Sequence, residues 1–127
     1  MFSAQICRKD TPKFAHLLPL NKKEGETIRK ISKRKDPEAA VSFYHEKGIP
    51  NEAIKLYFAT IMNSNFEDWF LENQDKSYRE FKFTFGKMST SGSLFDLDKL
   101  MNISKVYFSK LSAKEIYDRV LSYSKQY

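Results

Sequence analysis

The sequence predicts a mainly α fold with a short irregular or β-containing edge at its N-terminus. Three observations carry that expectation. From residue 36 onward apolar residues recur at helical spacing. Capping signals open two of those runs, at Asp36-Pro37-Glu38 and at Ser112 to Glu115. The first 30 or so residues, by contrast, hold Pro12, Pro19 and Gly25 and no sustained helical period. A chain of 127 residues, 41% hydrophobic and 15% aromatic, is the size of one ordinary domain and can bury roughly two-thirds of its unfolded surface.

Taken in order, Phe14 to Leu20 reads as a short strand interrupted by Pro19, and Asn21 to Thr27 as a polar turn around Gly25. The strand finds no strong partner in the sequence. Asp36-Pro37-Glu38 then supplies an N-cap, a proline at the first helical position and an acid in the first turn. Ala40, Phe43 and Tyr44 share one face of that helix, and Gly48 provides its left-handed stop. A second helix is expected from about Pro50 to Met62, with Ile54, Tyr57, Phe58 and Ile61 at i, i+3, i+4 and i+7. Asn63-Ser64-Asn65 breaks it, and a short third helix carries Phe66, Trp69 and Phe70. Phe81 to Ser93 alternates aromatic and polar residues and reads as an extended piece followed by a loop. Helical spacing returns from Leu94 through Leu97, Leu100 and Met101. The Ser112/Glu115 capping box opens a last helix with Ile116, Tyr117, Val120 and Leu121 on one face.

Composition bounds the function. No apolar run approaches the roughly 18 residues that cross a bilayer, and Met1 to Arg8 lacks the pattern of a secretory signal. The expectation is a cytoplasmic chain with no membrane partner. One cysteine, Cys7, excludes an intrachain disulfide and a cysteine-based zinc cluster; the two histidines, His16 and His45, stand at no metal-ligand spacing. No metal site is expected, and a glycine-rich phosphate loop is absent from a chain with 4 glycines.

The net charge of +6 is unevenly placed. Arg8 to Lys35 holds 10 basic residues against 3 acids, Asp36 to Phe81 holds 4 against 9, and Lys82 to the end holds 8 against 4. Basic ends around an acidic middle suit a polyanion that crosses a shaped surface; lysine-rich solvated ends are the plain alternative. The densest cluster is Arg29-Lys30-Ile31-Ser32-Lys33-Arg34-Lys35, with five cations in seven residues just before an expected helix start. Mobile ammonium and guanidinium groups can reach several phosphate oxygens, and Ser32 can donate a hydrogen bond. The aromatics Phe43, Tyr44, Tyr57, Phe58 and Trp69 sit at core spacing and are expected to pack against one another rather than on bases.

Lys30-Ile31-Ser32-Lys33-Arg34 resembles the second signature of the glutamyl-tRNA synthetases, a class I aminoacyl-tRNA synthetase family, in which KMSKS commonly becomes KLSKR. Ala40 to Ile61 is similar to the helix pair after that signature. Met88 to Leu100, MSTSGSLFDLDKL, resembles the ISKSPAVFDLEKL segment that leads towards the family's anticodon-binding part. Lys87 to Ser91 is closer to KMSKS by letter, yet its place before LFDLDKL fits the later segment. Lys35-Asp36-Pro37 stands where the family commonly has His-Gly, and the family's first signature is missing from this chain.

The resemblance implies a fragment of an ATP-dependent ligase that joins glutamate to tRNA(Glu) through glutamyl-adenylate. Lys33 would stabilise the triphosphate as pyrophosphate leaves, Lys30 and Ser32 would shape the loop, and Arg34 would be a supporting phosphate contact. Lys30 and Lys33 are thus the implied catalytic residues, and Lys30, Ser32, Lys33 and Arg34 the implied ATP site. Lys35, Lys87 and Lys99 are candidate tRNA contacts. The implied fold is a helical stem-contact-type domain: residues 1–35 end the catalytic domain, 36–93 form the stem-contact region, and 94–127 begin the anticodon-binding region. ATP with magnesium, glutamate and tRNA(Glu) would be partners of the parent enzyme, with the missing catalytic half as an intramolecular partner. The isolated chain is expected to bind no cofactor and to be inactive, and Phe14 to Leu20 to be the surface the missing half covers. The alternative is a free-standing tRNA-binding or interaction module without catalysis.

Overall fold

Residues 20–30 form a β-hairpin where the sequence predicts a polar turn. The structure, a computed structural model, describes Phe14, His16, Leu17 and residues 19–89 and 91–125; Cys7 lies outside the described residues. Strand β1 spans Leu20–Glu24 and β2 spans Thr27–Lys30, paired antiparallel with Glu24 opposite Thr27. Gly25 enters the two-residue loop at φ +63 while Glu26 keeps a negative φ, the sign pattern of a type II′ turn, whose twist matches that of the strands. Of the strand expected at Phe14 to Leu20, the described Phe14, His16, Leu17 and Pro19 lie outside any strand, with Phe14 and Leu17 exposed, whereas Leu20 opens β1; Ala15 and Leu18 lie outside the described residues. The partner strands the sequence did not reveal are β2 and a distant piece, β3, Ser93–Leu94, which lies parallel to β1 in a sheet of order β2-β1-β3. Gly92 permits that approach, because a Cβ there would stand 2.5 Å from Asn21 Nδ2.

After the hairpin the chain enters a 3₁₀ turn at Pro37–Ala39, breaks at Ala40 (φ −108, ψ 139), and only then begins helix α1, Val41–Glu46. The expected single helix from Asp36 is therefore two pieces. Pro37 does take the first helical position, but the Asp36 side chain makes no cap bond and Ala40 is exposed. Gly48 stops the segment at φ +69, as expected. Helix α2, Asn51–Met62, and the short α3, Phe66–Glu72, follow the sequence reading closely. Between α3 and β3 the chain is irregular, with 3₁₀ turns at Tyr78–Glu80 and Phe85–Lys87. Helix α4 spans Leu97–Ser109, starting three residues later than Leu94, which is drawn into β3. Helix α5, Ala113–Ser124, opens on the expected Ser112/Glu115 capping box.

The core forms where α2 meets α4. Tyr44, Ile49, Ala53, Ile54, Tyr57 and Leu100 are buried together, with Phe43, Phe58 and Phe95 packed against them. Tyr57 also accepts the Asp96 N–H at 2.7 Å, tying α2 to the first turn of α4; Asp96 in turn caps that helix by accepting from the Lys99 N–H. A second aromatic cluster joins Phe66, Trp69, Phe70 and Phe81. These contacts assign the sequence's core aromatics to packing. The apolar face expected on α5 lies at the surface: Ile116, Tyr117, Val120 and Leu121 are all exposed. Among the described residues no helix is long and apolar enough to cross a membrane.

Candidate functional site

The basic cluster leaves β2 at Lys30 and turns through Lys33, Arg34 and Lys35 before Asp36. Its geometry is set by residues on either side of the turn. The Ile31 N–H bonds to the Leu20 carbonyl, extending the hairpin by one residue. Lys35 and Asp36 both donate their N–H groups to the Ser32 carbonyl, at 3.0 and 2.8 Å, which closes the turn from within.

The closure is completed by one buried carboxylate. Asp36 is 3% exposed and accepts the Ser32 N–H at 2.8 Å. Arg29 reaches the same group in a two-pronged pair, Nη1 to Oδ2 at 2.6 Å and Nη2 to Oδ1 at 2.8 Å. That fork geometry is specific to a guanidinium. The Arg29 Nε is also committed, donating to Glu24 Oε2 at 2.6 Å. Lys22 stands 3.6 Å from Asp36 Oδ1 and donates to the mostly buried Glu38. Glu38 is further held by its own backbone, since the Tyr44 hydroxyl donates to its carbonyl.

Electrostatics follow from this wiring. The Arg29 guanidinium, then the Ser32 N–H, hold the Asp36 carboxyl well below the usual carboxylate range. Asp36, then Glu24, raise Arg29 further above its already high ordinary value. The hydrogen bond to Glu38 raises Lys22, and Arg29 lowers Glu24. The acids next to the turn are thus compensated by Arg29 and Lys22, two cations outside it.

The turn itself points its charge outward. Lys30, Lys33, Arg34 and Lys35 are exposed and Ser32 is half-buried. Among the described residues no ion pair engages any of those four cations. Ser32 Oγ accepts from the Arg34 N–H at 3.4 Å, which leaves its hydroxyl proton available to donate. Four exposed cations outside any ion pair and one hydroxyl on a braced turn can bind a multiply charged phosphate.

The remaining candidates lie elsewhere, around Ser64. Lys87 is exposed, and its carbonyl accepts the Ser64 N–H at 3.1 Å. Lys99 is half-buried with its ammonium paired to Glu67 at 2.9 Å, so its charge is already partly spent. Arg29, one of the cluster's cations by sequence, and Asp36, a cap by position, form a brace in the structure. A signal was present, an arginine and an aspartate bracketing the basic run, but their pairing needs the hairpin that brings both to one side. Among the described residues no group of three or more His, Cys, Asp or Glu is arranged to hold a metal ion.

The chain is 45% identical to the glutamate-tRNA ligase of Clostridium perfringens strain 13 over 123 residues, 97% of this chain but 22% of that protein. It is 44% identical to the glutamate-tRNA ligase of Acetivibrio thermocellus across 93% of its own length and 22% of the relative. The corresponding enzyme of Sorangium cellulosum is 36% identical over 90% of the chain, again 22% of the relative. The chain thus spans about a fifth of the length of these curated relatives. No protein-family model matches it. No solved structure matches it either.

Proposed function

We propose that the chain supplies the phosphate-contacting loop and an RNA-docking surface of a glutamate-tRNA ligase, which joins glutamate to tRNA(Glu) with magnesium-bound ATP by way of glutamyl-adenylate. The observation that supports this most is the combination of 44–45% identity to such ligases with a braced turn that leaves Lys30, Lys33, Arg34 and Lys35 unpaired by any acid among the described residues.

Lys33 is the residue proposed to meet the triphosphate. Negative charge accumulates on the leaving pyrophosphate in the transition state, and a positioned cation lowers the barrier by the difference it makes there. Lys30 and the Ser32 hydroxyl hold the loop against the phosphates and Arg34 adds a second cation. Lys35 and Lys87 serve as tRNA backbone contacts. Lys99 is the weaker contact, since docking an RNA phosphate there competes with Glu67. Residues 1–35 then complete the catalytic part, 36–93 contact the tRNA stem, and 94–127 lead to anticodon recognition. The divisions are of function rather than packing, because Leu100 shares one core with Tyr44 and Tyr57.

Replacing the matching segment of the Clostridium perfringens enzyme with this chain tests the reading. Retained glutamylation of tRNA(Glu) is the expected result; a soluble, folded chimera that forms no glutamyl-adenylate contradicts it.

A further inference from the structure

Among the described residues most aromatic rings are packed; Phe83 and Phe85 are two exposed ones that stand side by side. Phe83 is 43% exposed and Phe85 is 60% exposed, their centroids 5.7 Å apart at an interplanar angle of 86°. Phe81, two residues earlier, turns inward onto Phe66 and Trp69, so the outward pair begins only after the chain has been anchored.

The backbone beneath the two rings is pinned. Asn63, 1% exposed, donates its side-chain amide to the Thr84 carbonyl, the residue between the two phenylalanines, at 3.0 Å. Thr84 also accepts the Lys87 N–H at 3.1 Å, and Phe85 the Met88 N–H at 3.2 Å. Met88 forms an antiparallel bridge with Asn63, and Ser89 donates to the Met62 carbonyl. The segment is therefore fixed by a buried amide while two large apolar rings stand in water. Covering their exposed parts would be favourable in proportion to the apolar area removed from water; within the described fold the two rings contact each other and stay 43% and 60% exposed. Rings held in place lose little freedom on binding.

The chemistry around the pair selects a partner. Lys82 and Lys87 flank it and are exposed, and no acidic residue occurs from Phe81 through Leu94. Aromatic faces interleaved with cations and free of acids match unstacked nucleobases on a phosphate backbone; a protein partner would meet two uncompensated lysines.

We propose that Phe83 and Phe85 form a stacking platform for single-stranded RNA bases, with Lys82 and Lys87 on the adjoining phosphates. The proposal rests on the RNA-docking part of the functional reading above and adds to it the kind of contact made: base stacking by two rings, in a single-stranded stretch, rather than backbone contact alone.

The test is binding of the 127-residue chain to a fluorescent single-stranded RNA of about ten nucleotides, within the usual site size for such surfaces, and to tRNA(Glu), across a salt series. Phe83→Ala and Phe85→Ala should each weaken oligonucleotide binding by about ten-fold or more with the salt slope unchanged. Lys87→Ala should weaken binding and flatten the slope by about one. Circular dichroism and melting temperature of each variant establish that it is folded, and Phe85→Trp supplies a second readout in which stacked bases quench the indole. Oligonucleotide affinity unchanged in both alanine variants overturns the proposal, as does indole fluorescence of the Phe85→Trp variant that saturating RNA leaves unquenched. Self-association of the chain that either alanine substitution abolishes also overturns it, since the rings then serve a protein contact. A chain that binds tRNA(Glu) but is indifferent to the phenylalanines overturns the platform alone. A chain that binds neither RNA contradicts the docking surface as well.

Discussion

Arg29 and Asp36 clasp the ends of the basic turn, with two guanidinium nitrogens on two carboxylate oxygens at 2.6 and 2.8 Å. Asp36 simultaneously takes the Ser32 N–H from inside the turn. One buried acid thus fixes the entry strand, the interior of the turn and the exit of the loop. Loop cations that are held by the backbone lose less entropy when they meet a phosphate.

The brace can be read by proteolysis. Trypsin cleaves after Lys33, Arg34 and Lys35 only when the turn opens locally. Arg29→Gln and Asp36→Asn should raise native-state nicking within residues 33–35 several-fold, while cleavage after Lys55, inside α2, stays at its original rate. Arg29→Lys should behave like the glutamine variant, because a lysine keeps the charge but lacks the fork. A lysine variant as resistant as the unsubstituted chain would show that charge alone closes the turn.

The pH dependence has a definite sign. Asp36 is lowered by Arg29 and the Ser32 N–H, with Lys22 adding to the effect. Its carboxylate therefore contributes stability that is fully present above the ordinary carboxyl value, about 3.9, and is lost as pH falls below that through the depressed folded value. Arg29, raised from an already high value, stays charged throughout. Thermal melts should show Asp36→Asn less stable than the unsubstituted chain at pH 7, with the gap shrinking below about pH 4. A gap that is constant from pH 7 to pH 3 contradicts the pairing.

The joint between α2 and α4 is testable through one hydroxyl. Tyr57 is 1% exposed, and its oxygen accepts the Asp96 N–H at 2.7 Å. Tyr57→Phe keeps the ring contact with Phe95 and removes only the acceptor, so urea unfolding should show a loss of about 1 kcal/mol. Tyr57→Leu, which also removes the edge-to-face contact with Phe95, should cost more. Equal stability of the phenylalanine variant and the parent would indicate that water satisfies Asp96 equally well.

The parts of the fold that were legible in the sequence are those decided locally. Helix α2 announces itself by Ile54, Tyr57, Phe58 and Ile61, and α5 by the reciprocal Ser112/Glu115 bonds, because spacing and caps act within a few residues. The hairpin was not legible. Asn21-Lys22-Lys23-Glu24 carries turn-like polarity, yet the strand is held by pairing with Ser93 and Leu94, far along the chain, and by Lys22 on Glu38. Asp36 failed as a cap for the same reason: Arg29 and Ser32 compete for its oxygens and win. On α5 the amphipathic pattern was read correctly as a helix, but periodicity does not say whether a partner covers the face. The basic turn was legible as a dense cluster of cations from composition, whereas the division of those cations into a braced Arg29 and four outward charges depends on contacts across the hairpin.

Lys33 is proposed to act on the leaving pyrophosphate. Glutamate-dependent ATP–pyrophosphate exchange, measured with Lys33→Ala in a full-length ligase carrying this segment, tests it most directly. The expected result is a fall in kcat of about 100-fold or more with the KM for glutamate nearly unchanged. Equal losses in kcat and glutamate binding, or an unaltered exchange rate, would contradict it.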